Sequence, residues 1–322
     1  MVCLKQYFDM HISSPVNPVN DVAPAIESKV IQEKFVEVNG CCIRYLTGGE
    51  GVPLILIHGL LGYSFSWRFN LEALAQHARV YALDLPGTGF SGRQPVMLGD
   101  LTSLAQLVLG FMQAIEVKSA ILLGSSHGGG VALVAAAMAK QRNISIEAMV
   151  LASPVNPWSS QGAFLTRVAG SSVGAMIFRS MAWCLAPLHG RILMRMYGDP
   201  RRVTPETVEG YSRAIQVPGT IDALLGRVKN WKSNLAKVEE ALPQVSHIPT
   251  LLLWGERDGA VYLSSAQQLM SRLQHAELHV IPGAGHLPYE EMPEQFNQLV
   301  IGFLMKLRDS GEKRPNVYNS PT

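Results

Sequence analysis

Ile121-Leu-Leu-Gly124-Ser-Ser126-His-Gly128-Gly-Gly130 carries an apolar run through a G-x-S-x-G pentapeptide into small, helix-forming residues that continue to Lys140. Physically this predicts a strand, a very tight turn and a helix, with Ser126 at the apex. A turn that sharp strains the backbone at its apex. It also brings strand and helix so close that the residues two before and two after must be nearly free of side chain. Gly124 and Gly128 occupy those two positions. The expectation is that Ser126 is a nucleophile, and that the chain assembles a base, an acid, an oxyanion site and a substrate pocket around it.

Outward from this turn, the chain alternates between short apolar runs and helical patterns. Pro53-Leu-Ile-Leu-Ile-His58-Gly59, which ends in a glycine turn, Val80-Tyr-Ala-Leu-Asp84, Ala148-Met-Val-Leu-Ala152, Thr250-Leu-Leu-Leu-Trp254 and Glu277-Leu-His-Val-Ile281 read as strands, the more continuous ones buried on both faces. Helical periodicity separates them over Phe69 to Gln76, Leu101 to Ala114, Gly130 to Lys140 and Ser264 to Leu273, and closes the core over Pro293 to Lys306. Upstream, two alternating runs flank Asn39-Gly40, a strong hairpin signal. The fold class is α/β: a mostly parallel sheet opened by an antiparallel hairpin.

One interval breaks the alternation. Between residues 155 and 246 no buried-strand run occurs, and helices are expected over Ala163 to Ala186, Arg191 to Tyr197, Pro205 to Ile215 and Ile221 to Ala241. Roughly ninety residues is far beyond the usual connection of about 4–6. The expected organisation is therefore an N-terminal extension (1–32), a core (33–154 and 247–308), a helical cap (155–246) and a flexible tail (309–322). Both ends of the insertion fall on the carboxyl edge of the sheet, where open α/β sheets bind ligands.

A serine hydroxyl needs a general base, itself oriented by an acid. Gly255-Glu256-Arg257-Asp258-Gly259 and Gly283-Ala-Gly285-His286-Leu287-Pro288 each follow a strand, on the same edge as Ser126. Together with His58-Gly59 after a strand and Asp84-Leu-Pro-Gly-Thr-Gly-Phe-Ser91, the chain from about residue 33 to 308 resembles the α/β-hydrolase superfamily, in the branch with a serine nucleophile and a helical cap. The resemblance implies Ser126 as nucleophile, His286 as base and then acid, and Asp258 as the orienting acid. It also implies an oxyanion hole made by the backbone N–H groups of Leu60 and His127.

Blander roles compete at several positions. Ser126 alone is compatible with an ordinary turn serine. His58 reads as structural, tying its loop to backbone, and the His127 ring as structural or pocket-lining. Asp84 reads as fixing the Pro86-Gly87 turn. Glu256 rivals Asp258, and the family pattern favours the third residue after the glycine. A serine at the elbow, in place of the aspartate of haloalkane dehalogenases and epoxide hydrolases, points to acyl chemistry.

Bulk properties restrict the partners. The chain has 322 residues, 48% apolar and 16% charged, with a net charge of +2, which gives no basis for a nucleic-acid partner. Four cysteines stand at 3, 41, 42 and 184 without metal-ligand spacing; they point to a reducing, metal-free context, and no cofactor is expected. The N-terminus lacks a secretory pattern and no run is long enough to span a bilayer, so a cytoplasmic location is expected. From Trp158 to Gly198 there is no acidic residue, whereas Arg167, Arg179, Arg191 and Arg195 recur among apolar side chains. The plainer reading is a cap with solvated or paired arginines; the sharper one is contact with a lipid interface or an acidic substrate group. The expected activity is hydrolysis of a small-to-medium apolar ester. The alternatives are a C–C bond hydrolase of the meta-cleavage type and a ligand-binding protein on the same scaffold.

Overall fold

The computed structural model describes residues 28–94, 99–159, 176 and 186–312. In chain order the elements are β1 (Gln32–Val38), β2 (Cys41–Gly48), β3 (Pro53–Ile57), α1 (Leu71–Ala75), β4 (Arg79–Leu83), α2 (Leu101–Ala114), β5 (Ser119–Ser125), α3 (His127–Ala139) and β6 (Ser145–Ala152). There follow α4 (Ala186–Met196), α5 (Pro205–Gln216), α6 (Thr220–Lys229), α7 (Trp231–Val245), β7 (Thr250–Gly255), α8 (Ser264–Met270), β8 (Ala276–Ile281), α9 (Pro288–Glu291) and α10 (Pro293–Glu312).

The strands form one eight-stranded sheet in the order β1-β2-β4-β3-β5-β6-β7-β8. β2 pairs antiparallel with β1 and β4, and every later pairing is parallel. Asn39 and Gly40 both take positive φ (51° and 76°), as a two-residue hairpin turn matched to the strand twist requires. The apolar run of β3 serves two cores. Ile55 and Ile57 pack in the cluster on one face with Leu122, and Leu54 and Leu56 pack on the other with Ile121 and Leu123. Full burial of each such side chain is worth roughly 1.5–3 kcal/mol.

Chain direction across the sheet places the site. From β3 the chain steps to β4 on one side, then crosses back so that β5 lies on the other side of β3. The carboxyl ends of β3 and β5 therefore flank the point where the winding reverses. In sheets of this kind that crevice binds ligands. Helices α4 to α7 lie in the connection between β6 and β7. α7 packs on α3 at Gly130, where a Cβ would stand 3.4 Å from Val238 Cγ2 and 2.8 Å from Val155 Cγ2.

Several expectations need correction. The helix expected over Ile221 to Ala241 is two helices, broken at Asn230. There the side chain turns away to Gly99 O (3.0 Å) and Gly226 O (3.1 Å). The closing helix runs on to Glu312, through the stretch expected as a tail from Asp309. α3 begins at His127, ahead of the expected Gly130, because close packing overrides the poor helix propensity of three successive glycines. The expectations for the N-terminal extension up to residue 27, and most of the helix Ala163 to Ala186, lie outside the described residues. Cysteine usage reads differently as well. Cys41 is free and buried, but Cys42 is disulfide-bonded, its partner lying outside the described residues, which goes against the reducing context.

Candidate active site

Ser126 sits between β5 and α3 with φ 52° and ψ −118°, a conformation that costs an L-residue about 1–3 kcal/mol. Backbone bonds on both sides hold it there. Its N–H donates to Ala152 O (2.9 Å), and its carbonyl accepts from Gly129 N (3.0 Å), Gly130 N (3.3 Å) and Val155 N (3.0 Å). The two glycines are needed sterically. A Cβ on Gly124 would meet Gly128 O at 2.5 Å, and one on Gly128 would meet both Ile57 O and His58 O at 2.3 Å. From Ile121 to Gly130, Ser126 is the one residue that is not buried.

Asp258 and His286 meet, as the sequence predicts. His286 Nδ1 lies 2.9 Å from Asp258 Oδ2 and 3.1 Å from Oδ1, both side chains buried. A carboxylate only accepts, so the Nδ1 proton faces it and Nε2 is left with its lone pair. Asp258 Oδ1 also accepts from Ala260 N (2.9 Å) and Val261 N (2.8 Å). Burial alone would raise the Asp258 pKa. The charge and hydrogen bond of His286 and the Val261 N–H outweigh it, and the carboxyl is held below its ordinary range. Glu256, the rival, instead accepts from Gly283 N at 2.9 Å on the exposed side of the loop.

The His286 loop is tied to the helices between β6 and β7. His286 N donates to Met196 O (2.7 Å) at the end of α4. Glu291 accepts from Gly285 N (2.8 Å) with one oxygen and from Gly198 N (2.7 Å) with the other. On α9, Tyr289 lies close enough to Ser125 for that hydroxyl to act on the phenol, though short of a formed hydrogen bond. Ser126 Oγ itself makes no hydrogen bond to His286 or to any other described residue. Links of this kind often form only with substrate present.

The loop after β3 passes directly over the turn: a Cβ on Gly59 would stand 3.4 Å from Ser126 Cβ. Neither Leu60 N–H nor His127 N–H donates to a described residue. His58 shapes this loop. Its Nδ1 contacts Gly59 O (2.7 Å), and its Nε2 accepts from Leu85 N (3.0 Å), which fixes a neutral ring. Asp84 acts elsewhere than expected: it accepts from Ser64 N (2.7 Å) and Phe90 N (2.9 Å) and pairs with Arg44 (3.0 Å), pinning the Phe90 turn more than Pro86-Gly87.

Burial, partly offset by the Gly59 carbonyl, lowers the His58 pKa to about 4. The unfolded chain binds that proton near pH 6.5. Since the unfolded state takes up the proton first, stability is complete above about pH 6.5 and falls as the pH drops towards about 4, by roughly 3 kcal/mol in all. Unfolding midpoints measured from pH 7.5 to 4.5 should therefore decline more steeply for the natural chain than for His58→Asn, which starts lower. Equal slopes would refute the assignment.

Besides the hydroxyls of Ser125 and Ser153, the side chains of His127 and Arg227 carry polar groups without a partner among the described residues. The His127 ring is buried and stacked against Trp231 (centroids 6.4 Å apart, 25° between planes), and both its nitrogens lack a partner. Arg227 of α6 is fully buried; Nη2 donates to Pro86 O (2.5 Å), while Nε and Nη1 have none. Sequence reading passed over Arg227. Its signal was a charged residue four positions after buried Ala223, on the inward face of α6. Among the described residues no group of acids, histidines and cysteines could hold a metal, and no helix is long and apolar enough to cross a membrane.

A family model described as alpha/beta hydrolase fold matches residues 52–293. The chain is 32% identical over 275 residues (84% of its length, 68% of the relative) to a dihydrolipoyllysine-residue acetyltransferase component of an acetoin cleaving system from Pseudomonas putida. It is 27% identical over 267 residues (80% and 88%) to a 2-hydroxymuconate semialdehyde hydrolase from Pseudomonas sp. strain CF600. Among solved structures, the meta-cleavage product hydrolase from Pseudomonas fluorescens IP01 matches with a TM-score of 0.70 and 28% identity, covering 85% of this chain and 97% of the other.

Proposed function

As this chain belongs to the alpha/beta hydrolase fold family, we propose that it is a serine hydrolase that cleaves a carboxylic ester of a small-to-medium substrate through an acyl-enzyme on Ser126. The observation that carries this reading is the buried Asp258–His286 pair (2.9 Å) on the same sheet edge as the strained, accessible Ser126. His286 Nε2 takes the Ser126 proton as Oγ attacks the ester carbonyl. The oxyanion that forms is held by the N–H groups of Leu60 and His127, whose fixed direction is worth about 2.7–4 kcal/mol for each donor. Collapse expels the alcohol, which leaves with the proton from His286. Water, activated by the same imidazole, then releases the acid and restores Ser126. Asp258 holds the ring in the tautomer that leaves Nε2 free. In this reading residues 33–154 and 247–308 are the catalytic core, and 155–246 cap it.

Incubation with a fluorophosphonate probe should label the chain stoichiometrically, with the mass increment on the peptide containing Ser126. Absence of labelling in folded protein would favour a ligand-binding role on the same scaffold. A second reading, C–C bond hydrolysis of the meta-cleavage type, is favoured by the buried Arg227 contributed from the capping helices. It would give turnover of a vinylogous diketone acid and little of simple esters. The arginine-rich surface proposed to meet lipid falls largely on residues outside those described.

A further inference from the structure

Ester cleavage by Ser126, His286 and Asp258 makes no use of Arg227. A guanidinium keeps its proton in essentially any protein environment. Burying that charge without a partner is strongly destabilising. Arg227 is nevertheless fully buried, with a single carbonyl, Pro86 O, as its acceptor and with Nε and Nη1 unpartnered. Asp84, the acid of the neighbouring loop, is already held by Arg44 and by two backbone N–H groups. The charged group acting most strongly on Arg227 is Arg93, of the same sign. Of the stretches outside the described residues, 95–98, 160–175 and 177–185 contain no Asp or Glu, while 1–27 holds Asp9, Asp21 and Glu27.

The location gives the unpaired charge a purpose. Pro86 follows Leu85, whose N–H is held by His58 beside the loop that passes over Ser126. His127, the residue after Ser126, stacks its ring on Trp231, four residues beyond Arg227, and feels the Arg227 charge; its ring nitrogens are likewise buried without partners among the described residues. A guanidinium and a neutral imidazole, both with unmet hydrogen-bonding groups, thus converge next to the acyl-accepting turn.

We propose that Arg227, with the His127 ring beside it, binds a carboxylate of the substrate, so that the acyl compounds cleaved carry a free carboxylate apart from the bond that breaks. The inference rests on Ser126 being the acylated residue, and it sharpens the substrate from an apolar ester to a half-ester of a dicarboxylic acid. The planar carboxylate replaces the partner that the described residues do not provide.

The test compares p-nitrophenyl half-esters of glutaric and adipic acids with neutral p-nitrophenyl esters of equal chain length. The natural chain should favour the acids by roughly tenfold to a hundredfold in kcat/KM, as a charge-assisted hydrogen-bonded contact gives. Arg227→Met should remove that preference mainly through KM while leaving the neutral esters within about twofold, and Arg227→Lys should restore part of it. Equal losses on both ester types, or no preference for the acids in the natural chain, would overturn the proposal. A binding measurement separates this outcome from failure of the ester reading. Glutarate or adipate should raise the melting temperature of the natural chain but not of Arg227→Met, whether or not Ser126 is labelled by fluorophosphonate. Loss of labelling with this shift retained would remove the ester reading alone; labelling without the shift would remove the carboxylate site.

Discussion

Ser126→Ala is expected to lower kcat for p-nitrophenyl esters by about five to six orders of magnitude and to leave the fold unchanged. The size follows from the way the three side chains act as one unit. Without Oγ there is nothing for His286 to deprotonate, and only the oxyanion donors and substrate binding remain. The accompanying stability result is specific to this turn. Ser126 adopts φ 52°, and alanine has the same Cβ, so its melting temperature should match that of the natural chain within a degree or so. Ser126→Gly should be equally inactive but more stable, because glycine adopts this conformation without the penalty of about 1–3 kcal/mol borne by other residues. Thermal unfolding and steady-state kinetics on the two variants check both halves. Retention of a tenth of the activity in Ser126→Ala would remove the nucleophile assignment.

What the sequence exposed and what it hid follow from the range of the interactions involved. β3 was legible because a parallel strand buried on both faces must be apolar at every position, and Leu54 to Ile57 leave no other reading. The turn at Ser126 was legible because glycine is the residue that fits where Gly128 passes the carbonyls of Ile57 and His58 at 2.3 Å from an ideal Cβ. Asp258 needed more than spacing: Glu256 is two residues away, and the assignment becomes physical only where one carboxylate reaches His286 and the other is turned to Gly283 N. Features set by tertiary partners were not legible. The break at Asn230 depends on the carbonyl of Gly99, far away in sequence. The role of Glu291 depends on Gly198, 93 residues distant, from whose N–H it accepts a hydrogen bond as it does from that of Gly285. Arg227 looked like an ordinary helix residue because periodicity marks which face turns inward but carries no information about what the inward face meets.

Asp258→Asn is expected to reduce kcat by about four orders of magnitude with the local geometry retained. The amide oxygen can still accept from Ala260 N and Val261 N, at 2.9 and 2.8 Å in the natural chain, so the loop has reason to stay in place. The amide nitrogen, however, now donates towards His286 Nδ1. That drives the imidazole proton to Nε2, the atom that must receive the Ser126 proton, and the base is lost while the ring hardly moves. The same substitution has a signature in stability. The Asp258 carboxyl is held below its ordinary range in the folded chain, against the cost of burial, by the charge and hydrogen bond of His286 and by the Val261 N–H. A depressed folded pKa contributes stability that is present above the unfolded value of about 3.9 and lost as the pH falls through the folded one. Urea midpoints from pH 5 to pH 2.5 should therefore flatten at the acid end in Asp258→Asn. Glu256→Gln supplies the counter-case, since its carboxylate serves the exposed Gly283 N–H and its kcat should stay within about twofold of the natural chain. If Glu256→Gln lost activity and Asp258→Asn kept it, the acid would have to be reassigned. His286 would then need a different ring orientation from the one in which Nδ1 faces Asp258 at 2.9 Å.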